Sequence, residues 1–204
     1  MSEGKEEKPV SGGGTPSQEL PKTAAFQDEF TRGYMASPKE VEPGYYLFKS
    51  KTGGYTMLFP KDGVISADLG HEQNGNFFEN ITYTGKGKLL NEDFNNQVIY
   101  SNKSTTKNID AYKELVSNKV GYKGNFDNLS MDDKEIYLGK QIDESQNLLT
   151  FYYFSFIKSK NDNKSIQFIY TSTCNDKENK CKKTNTEFEK NALMLMKSVK
   201  FTKE

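Results

Sequence analysis

The sequence predicts an α+β domain in which an antiparallel sheet of about six to seven strands packs with two main helices. Three observations support this fold class. An aromatic hairpin comes early in the 204 residues, three strand-like segments follow one another in the second half, and two longer segments have apolar residues at helical spacing. The chain is only 34% hydrophobic, but its 12 tyrosines and 14 phenylalanines can bury large areas. We therefore expect an aromatic core.

Residues 1–22 differ in composition from the rest of the chain. The segment MSEGKEEKPVSGGGTPSQELPK is charged and then rich in Gly, Ser and Pro, and its only aliphatic residue before Leu20 is Val10. Such a segment cannot bury enough apolar surface to offset chain entropy. We expect a disordered tether over residues 1–22 and a single domain over residues 23–204, with an N-terminal helix and connector at 23–43 and the core at 44–202.

Alternating apolar residues predict strands on both sides of a central helix. The predicted strand NLLTFYYFSFIK has apolar residues at both odd and even positions, so both of its faces should be covered and it should lie at the centre of the sheet. The predicted strand segments are YYLFK and YTMLF, joined by a turn at Gly53 and Gly54, then NFFENITYT with Phe77, Ile81 and Tyr83 on one face, a weaker NQVIYSN, and finally KEIYLGKQI, NLLTFYYFSFIK and SIQFIYTST.

Three segments have the apolar stripe of a helix. Asn108 or Thr105 is a candidate N-cap for the central helix, and Thr186 with Glu189 forms a candidate capping box for the last one. We expect each stripe to pack on the domain. The stripes are Phe26, Phe30 and Tyr34 in residues 23–36, then Ile109, Tyr112, Leu115 and Val116, and finally Phe188, Ala192, Leu195, Met196 and Val199.

The single histidine, His71, offers a candidate metal site. Asp68, His71 and Glu72 supply one nitrogen and two carboxylates, and three protein ligands suffice for a catalytic zinc ion. Their spacing is not the helical H-E-x-x-H pattern, and Gly70 and Gly75 favour a loop. A surface histidine in a turn is the simpler interpretation, and we expect no metal or other cofactor.

Cys174 and Cys181 are the only cysteines, and six polar or charged residues separate them. Two thiolates leave half of a tetrahedral zinc shell empty, and a redox pair wants C-x-x-C at the start of a helix. A disulfide would close a loop of about eight residues between the last long strand and the last helix, and would stabilise the fold by roughly 2.5 kcal/mol. A disulfide favours an oxidising compartment.

Two parts of the chain resemble known families. The polar start resembles a mature bacterial lipoprotein in which Met1 stands where the lipid-bearing cysteine belongs, although a disordered cytosolic tail has the same composition. The hairpin ending in Phe59 and Pro60, together with the closing strand, helix and SVKF, resembles the PsbP-like α/β/α fold over residues 44–202. That fold is shared by the photosystem II protein PsbP, a Ran-binding nuclear relative, and the DcrB and LpqN bacterial lipoproteins. The tryptophan common in the family after this proline is replaced by Lys61.

The resemblance implies an accessory or binding protein rather than an enzyme. The 28 basic and 28 acidic residues give no net charge, which disfavours nucleic-acid binding, and no apolar run is long enough to span a membrane. We expect a monomeric lipoprotein, anchored at the extracellular face of the bacterial membrane, that binds an unknown protein or envelope component through Tyr45, Tyr46 and Tyr55 or through a sheet edge. The alternative is a secreted metal-dependent enzyme or metal-binding protein centred on Asp68, His71 and Glu72.

Overall fold

The computed structural model describes residues 19–68, 70–87, 92–145, 148–175, 181 and 185–203. In these ranges the chain forms eleven strands in two sheets, four α-helices and one short 3-10 helix. The strands are β1 (Tyr45–Lys49), β2 (Tyr55–Pro60), β3 (Gly63–Ile65), β4 (His71–Asn74), β5 (Phe78–Lys86), β6 (Glu92–Asn102), β7 (Asp127–Ser130), β8 (Lys134–Ser145), β9 (Leu148–Ser159), β10 (Lys164–Asn175) and β11 (Lys200–Phe201). The helices are α1 (Ala24–Gln27), α2 (Glu29–Arg32), α3 (Ile109–Val120) and α4 (Asn185–Ser198), and the 3-10 helix is Ser104–Lys107.

The larger sheet has eight antiparallel strands. Seven follow the order β3-β5-β6-β10-β9-β8-β7. The eighth, β4, pairs with residues 78–81 of β5, on the edge that also pairs with β3 through residues 83–85. The α+β prediction is confirmed, but the predicted count of six to seven strands is wrong. The strands that the pattern missed, β3, β4, β7 and β11, have only two to four residues, too few for alternation to show.

The strand β9 lies inside the larger sheet and is covered on both faces, as predicted. Phe151 on one face packs against Phe188 of α4, with ring centroids 4.7 Å apart. Phe156 on the other face stacks on Tyr112 of α3 at 4.9 Å. The helices α3 and α4 therefore lie on opposite faces of the sheet.

A small sheet of order β1-β2-β11 covers the β5–β6 half of the face that α4 occupies. Tyr55 of β2 lies between Phe48 and Tyr100 of β6, with ring centroids 5.7 and 5.3 Å away. The hydroxyl of Ser198 in α4 accepts a hydrogen bond from the Leu58 amide of β2 at 2.9 Å. The core thus lies between the large sheet, the small sheet and α4.

The helix predicted over residues 23–36 is interrupted. Asp28 has an extended backbone with ψ of 119°, and its carboxylate accepts a hydrogen bond from the Thr31 amide at 2.7 Å, so it caps a second short helix. The predicted stripe still packs on the domain, because Phe26 contacts Tyr46 at 4.7 Å between ring centroids. The packing is confirmed and the continuous helix is wrong.

The stripe predicted for α4 packs on the domain, but Leu115 of the stripe predicted for α3 is 50% exposed, so that part of the prediction is wrong. One of the two predicted helix caps is present. Asn108 accepts a hydrogen bond from the Ala111 amide at 3.2 Å and so caps α3, which ends before Gly121 at a φ of 69°. The helix α4 begins at Asn185, so Thr186 lies in its first turn and is not the N-cap. Among the described residues, no helix has the length and apolarity that crossing a bilayer requires.

Candidate functional site

The structure does not bring the candidate metal ligands together. His71 lies in the strand β4, not in a loop, and its half-buried ring contacts Phe30 and Tyr34 at centroid distances of 5.5 and 5.9 Å. Glu72 follows in the same strand, so its side chain points to the opposite face, and both it and Asp68 are exposed. Within the described ranges, no group of three His, Cys, Asp or Glu side chains is placed to hold a metal ion.

The three hairpin tyrosines are core residues, so the prediction that they form an exposed binding surface is wrong. Tyr45, Tyr46 and Tyr55 are 7%, 1% and 0% exposed. The N-terminal segment covers the hairpin, and the Tyr46 hydroxyl is 3.1 Å from that of Thr23. The hairpin is aromatic because it forms one wall of the core, and of the three tyrosines Tyr45 alone lines the surface cleft between the two sheets and α4.

A buried carboxylate joins the two sheets. Glu79 of β5 is fully buried, and it accepts hydrogen bonds from the Ser50 hydroxyl at 2.7 Å and the Lys51 amide at 2.9 Å. Ser50 in turn contacts the Thr52 hydroxyl at 2.6 Å. The carboxylate therefore holds the turn between β1 and β2 against the large sheet.

The surroundings of Glu79 are aromatic. Burial is the main cause that raises the pKa values of Tyr34 and Tyr55 above the ordinary phenol range, and the negative charge of Glu79 raises them further. The ammonium of Lys51 lies 4.8 Å above the Tyr34 ring and donates a hydrogen bond to the Gly33 carbonyl at 2.6 Å. These phenols stay protonated at neutral pH, so the cluster is suited to holding structure rather than to transferring protons.

The predicted disulfide between Cys174 and Cys181 is present. The two Cα atoms are 6.1 Å apart, within the usual range for such a bond, and both residues are at least 95% buried. Cys174 is near the end of β10, and Cys181 lies four residues before α4. The bond therefore ties the beginning of α4 to the large sheet.

A cleft opens at the same end of the molecule, where the small sheet, the large sheet and α4 meet. It encloses about 520 Å³ of empty space including open solvent at its mouth, but only about 50 Å³ is wide enough for the centre of a water-sized molecule. That narrow space could hold roughly three or four water molecules, or one small chemical group, but not an extended cofactor. Buried Tyr45, Phe94, Asn96, Tyr170 and Leu195 line the cleft inside, and Lys61, Asp62, Lys86 and Asn191 are among the residues nearer its mouth.

A buried amide lines this cleft. Asn96 is 1% exposed, and its side-chain carbonyl accepts a hydrogen bond from the Thr171 amide at 3.3 Å. Its Nδ2 group interacts with the hydroxyl of Tyr83, directly opposite in the β5–β6 pair, and this contact lowers the pKa of that phenol against the larger, opposite effect of burial. The contact falls short of normal hydrogen-bond geometry, and neither group has a well-formed hydrogen bond among the described residues. A weakly bonded buried donor is costly, so a donor that lines a cleft is suited to a bound acceptor.

Sequence reasoning missed Glu79 and Asn96. The third strand was predicted to turn Phe77 inward with Ile81 and Tyr83, but Phe77 lies outside β5 at 39% exposure and Glu79 takes the buried position. The only signal in the sequence was Glu79 itself, a polar residue at a position that strand alternation turns toward the core. The lining of the cleft comes from elements far apart in the chain, so no local pattern could have revealed it.

Three comparisons relate this chain to known proteins. A protein family described as "Putative lipoprotein YvcA" matches residues 21–200. A protein of Bacillus subtilis (strain 168) with the same description is 33% identical over an alignment of 192 residues that covers 90% of this chain and 79% of that protein. A crystal structure from Bacteroides thetaiotaomicron VPI-5482 covers 78% of this chain at 13% identity and a TM-score of 0.41, and this chain spans about half (48%) of that protein's length. The last likeness is too weak to support an argument.

Proposed function

Because the chain belongs to the YvcA lipoprotein family, we propose that it is a non-enzymatic binding module of the cell envelope, anchored by lipid at the extracellular face of the bacterial membrane. In this proposal the tether of residues 1–22 joins the anchor to the domain. The domain binds another envelope component through the cleft between the two sheets and α4.

The disulfide supports the extracellular location. Disulfides persist in oxidising compartments and are rare where cellular thiols are kept reduced. The Cys174–Cys181 bond is buried and lies at a junction between two elements, as is typical of a structural disulfide. The composition of residues 1–22 supports the tether independently.

The chemistry inside the cleft supports binding rather than catalysis. The Nδ2 group of Asn96, which has only a weak contact with the Tyr83 hydroxyl, is the observation on which the proposal mainly rests. An amide does not titrate and a phenol ionises only at alkaline pH, so Asn96, Tyr45 and Tyr170 are suited to hydrogen bonding and apolar contact. The narrow interior suits one inserted side chain or a small planar group that carries a hydrogen-bond acceptor.

The arrangement of the elements also supports a PsbP-like α/β/α fold for residues 44–202. The helices α3 and α4 cover opposite faces of the central sheet, and the opening hairpin packs beside α4. Known members with this fold are largely adaptors, which agrees with a binding role, although a fold alone does not carry a function. The monomeric state remains part of the proposal.

Site-specific photo-crosslinking in intact cells tests the proposed cleft. A photoreactive residue replaces Asn191, which borders the cleft on α4, in the full-length lipoprotein. We expect one discrete cross-linked species at this position. The additional change Asn96→Leu should abolish it, because Leu fills a similar volume and removes the amide donor.

The matched control is the same photoreactive residue at Lys123, an exposed position that does not line the cleft. The control should give no such species. A cross-link of equal yield at residue 123, or one that survives Asn96→Leu, would show that the cleft is not the binding site. Protease treatment of the same cells should cut the tether and release the domain from the cells, and complete protection would contradict the extracellular location.

A further inference from the structure

A second concave surface lies at the other end of the molecule, where the tips of β8, β9 and β10 meet the chain after α4. This basic groove has a volume of about 710 Å³, which is in the range of small-molecule sites. Met131 and Phe201 contribute apolar surface to it. The Lys164 ammonium donates a hydrogen bond to the Thr202 carbonyl at 2.8 Å, so the two walls of the groove are joined.

The acidic side chains of the groove are already paired with buried lysines. Asp133 is 3.2 Å from the ammonium of Lys134, and Asp162 is 3.0 Å from that of Lys164. Both lysine side chains are only 3% exposed. Burial acts to raise the pKa of the Asp162 carboxyl. Hydrogen bonds, chiefly from the Lys164 backbone amide and ammonium, outweigh burial and hold this pKa below its usual value. These two pairs leave little net charge.

Three further lysines line the groove and are exposed. Lys197, Lys200 and Lys203 have no ion-pair partner within the part of the chain that the structure describes. Lys197 is in the last turn of α4, where a cation offsets the negative end of the helix dipole. Lys200 and Lys203 lie beyond the helix, so that role does not account for them. The groove is therefore positively charged on a protein with no net charge.

We propose that the basic groove binds a phosphate-bearing anion with several negative charges. Lysine binds phosphate as a point charge, whereas flat carboxylates pair best with the fork of an arginine, and the groove has no arginine. The exposed amide of Asn161 is a further donor at the rim. The charge comes from three separate side chains, so a chain of linked phosphates fits better than a single phosphate ion.

The position of the groove favours a phosphate chain in solution over a lipid headgroup. The described chain enters the domain at the open end of the β1–β2 hairpin, where the Ala25 amide donates a hydrogen bond to the Lys61 carbonyl at 3.0 Å. The groove is at the closed end, where the Thr202 hydroxyl donates to the Gly53 carbonyl at 2.7 Å. The length of β2, about 17–20 Å, separates the two ends. This proposal does not depend on the cleft.

Titration calorimetry with inorganic tripolyphosphate, at low and moderate ionic strength, tests the proposal. We expect saturable binding that weakens as salt is added. The double substitution Lys200→Gln/Lys203→Gln should weaken it roughly tenfold, because two exposed charge contacts are lost. Lys39→Gln/Lys123→Gln is the matched control, because it removes the same charge from exposed positions outside the groove.

Four results would overturn the proposal. They are the absence of saturable tripolyphosphate binding, an equal loss of affinity in both double variants, equal affinity for citrate, and binding only to vesicles of phosphatidylglycerol and phosphatidylcholine. All four substituted lysines are exposed, so both variants should unfold at the temperature of the wild-type protein.

Discussion

Glu79 and Asn96 are two of the buried polar residues that distinguish this core from an apolar one. Glu79 accepts two hydrogen bonds from the turn between β1 and β2, whereas the Nδ2 group of Asn96 has only a weak contact with the Tyr83 hydroxyl. A satisfied buried carboxylate fixes how the two sheets meet, and a weakly bonded amide beside an opening is suited to a ligand. The two residues therefore have different expected roles, one in stability and one in binding.

The change Glu79→Ala should lower the free energy of unfolding by about 3 kcal/mol, because it leaves the buried Ser50 hydroxyl and the Lys51 amide without their acceptor. Glu79→Gln keeps one acceptor and should cost less. Urea denaturation measures both changes. Glu72→Ala on the exposed face of β4 is the control, with an expected effect within about 0.5 kcal/mol. An equal effect of Glu79→Ala and Glu72→Ala would show that the Glu79 contacts contribute nothing.

At the scale of elements, α4 links the disulfide to the cleft. The Cys174–Cys181 bond holds the region before the helix, and Asn191 and Leu195 of the same helix line the cleft. Phe188, one turn into the helix, packs against Phe151 of the large sheet. The disulfide therefore stabilises the wall of the cleft as well as the loop that it closes.

Reducing the disulfide should lower the free energy of unfolding by roughly 2.5 kcal/mol, the entropy estimate for a loop of about eight residues. Hydrogen exchange should become faster in the first turn of α4 and remain unchanged in α3, which packs on the other face of the sheet. The variant Cys174→Ala/Cys181→Ala is the control, because reductant should have no effect on it. If reductant does not change the unfolding of the wild-type protein although two thiols become titratable, the bond is not a stabilising one.

For the whole molecule, the family match and the described contacts begin at nearly the same place. The family covers residues 21–200, and the first long-range contacts are those of Thr23 with Tyr46 and of Ala25 with Lys61. The N-terminal segment is thus part of the domain from about residue 23, because it covers the aromatic face of the hairpin.

Limited proteolysis should cut the chain first within residues 1–22 and leave a stable fragment, because that segment has the composition of a tether. A chain that starts at residue 19 should be as stable as the full chain. A chain that starts at residue 28 loses Phe26, which is 3% exposed, and should be less stable by about 3–5 kcal/mol. Mass spectrometry and thermal unfolding measure these outcomes. Equal stability of the two truncated chains would place the domain boundary later than proposed.

The sequence by itself determined the elements whose pattern is local and long. The strands β8 to β10 follow from runs of alternating or continuous apolar residues, α3 and α4 follow from stripes at helical spacing, and the disulfide follows from the position of Cys174 and Cys181 between two such elements. Each of these depends on residues close together in the chain, so periodicity and loop length were enough to predict them.

Only the tertiary structure decided which side chains are buried and which surfaces are open. The hairpin rings of Tyr46 and Tyr55 look available for binding in the sequence, but the N-terminal segment and β6 cover them. His71 looks like a ligand, but strand alternation separates it from Glu72. The cleft and the basic groove each form where elements distant in the chain come together, and such contacts leave no periodic signal in the sequence.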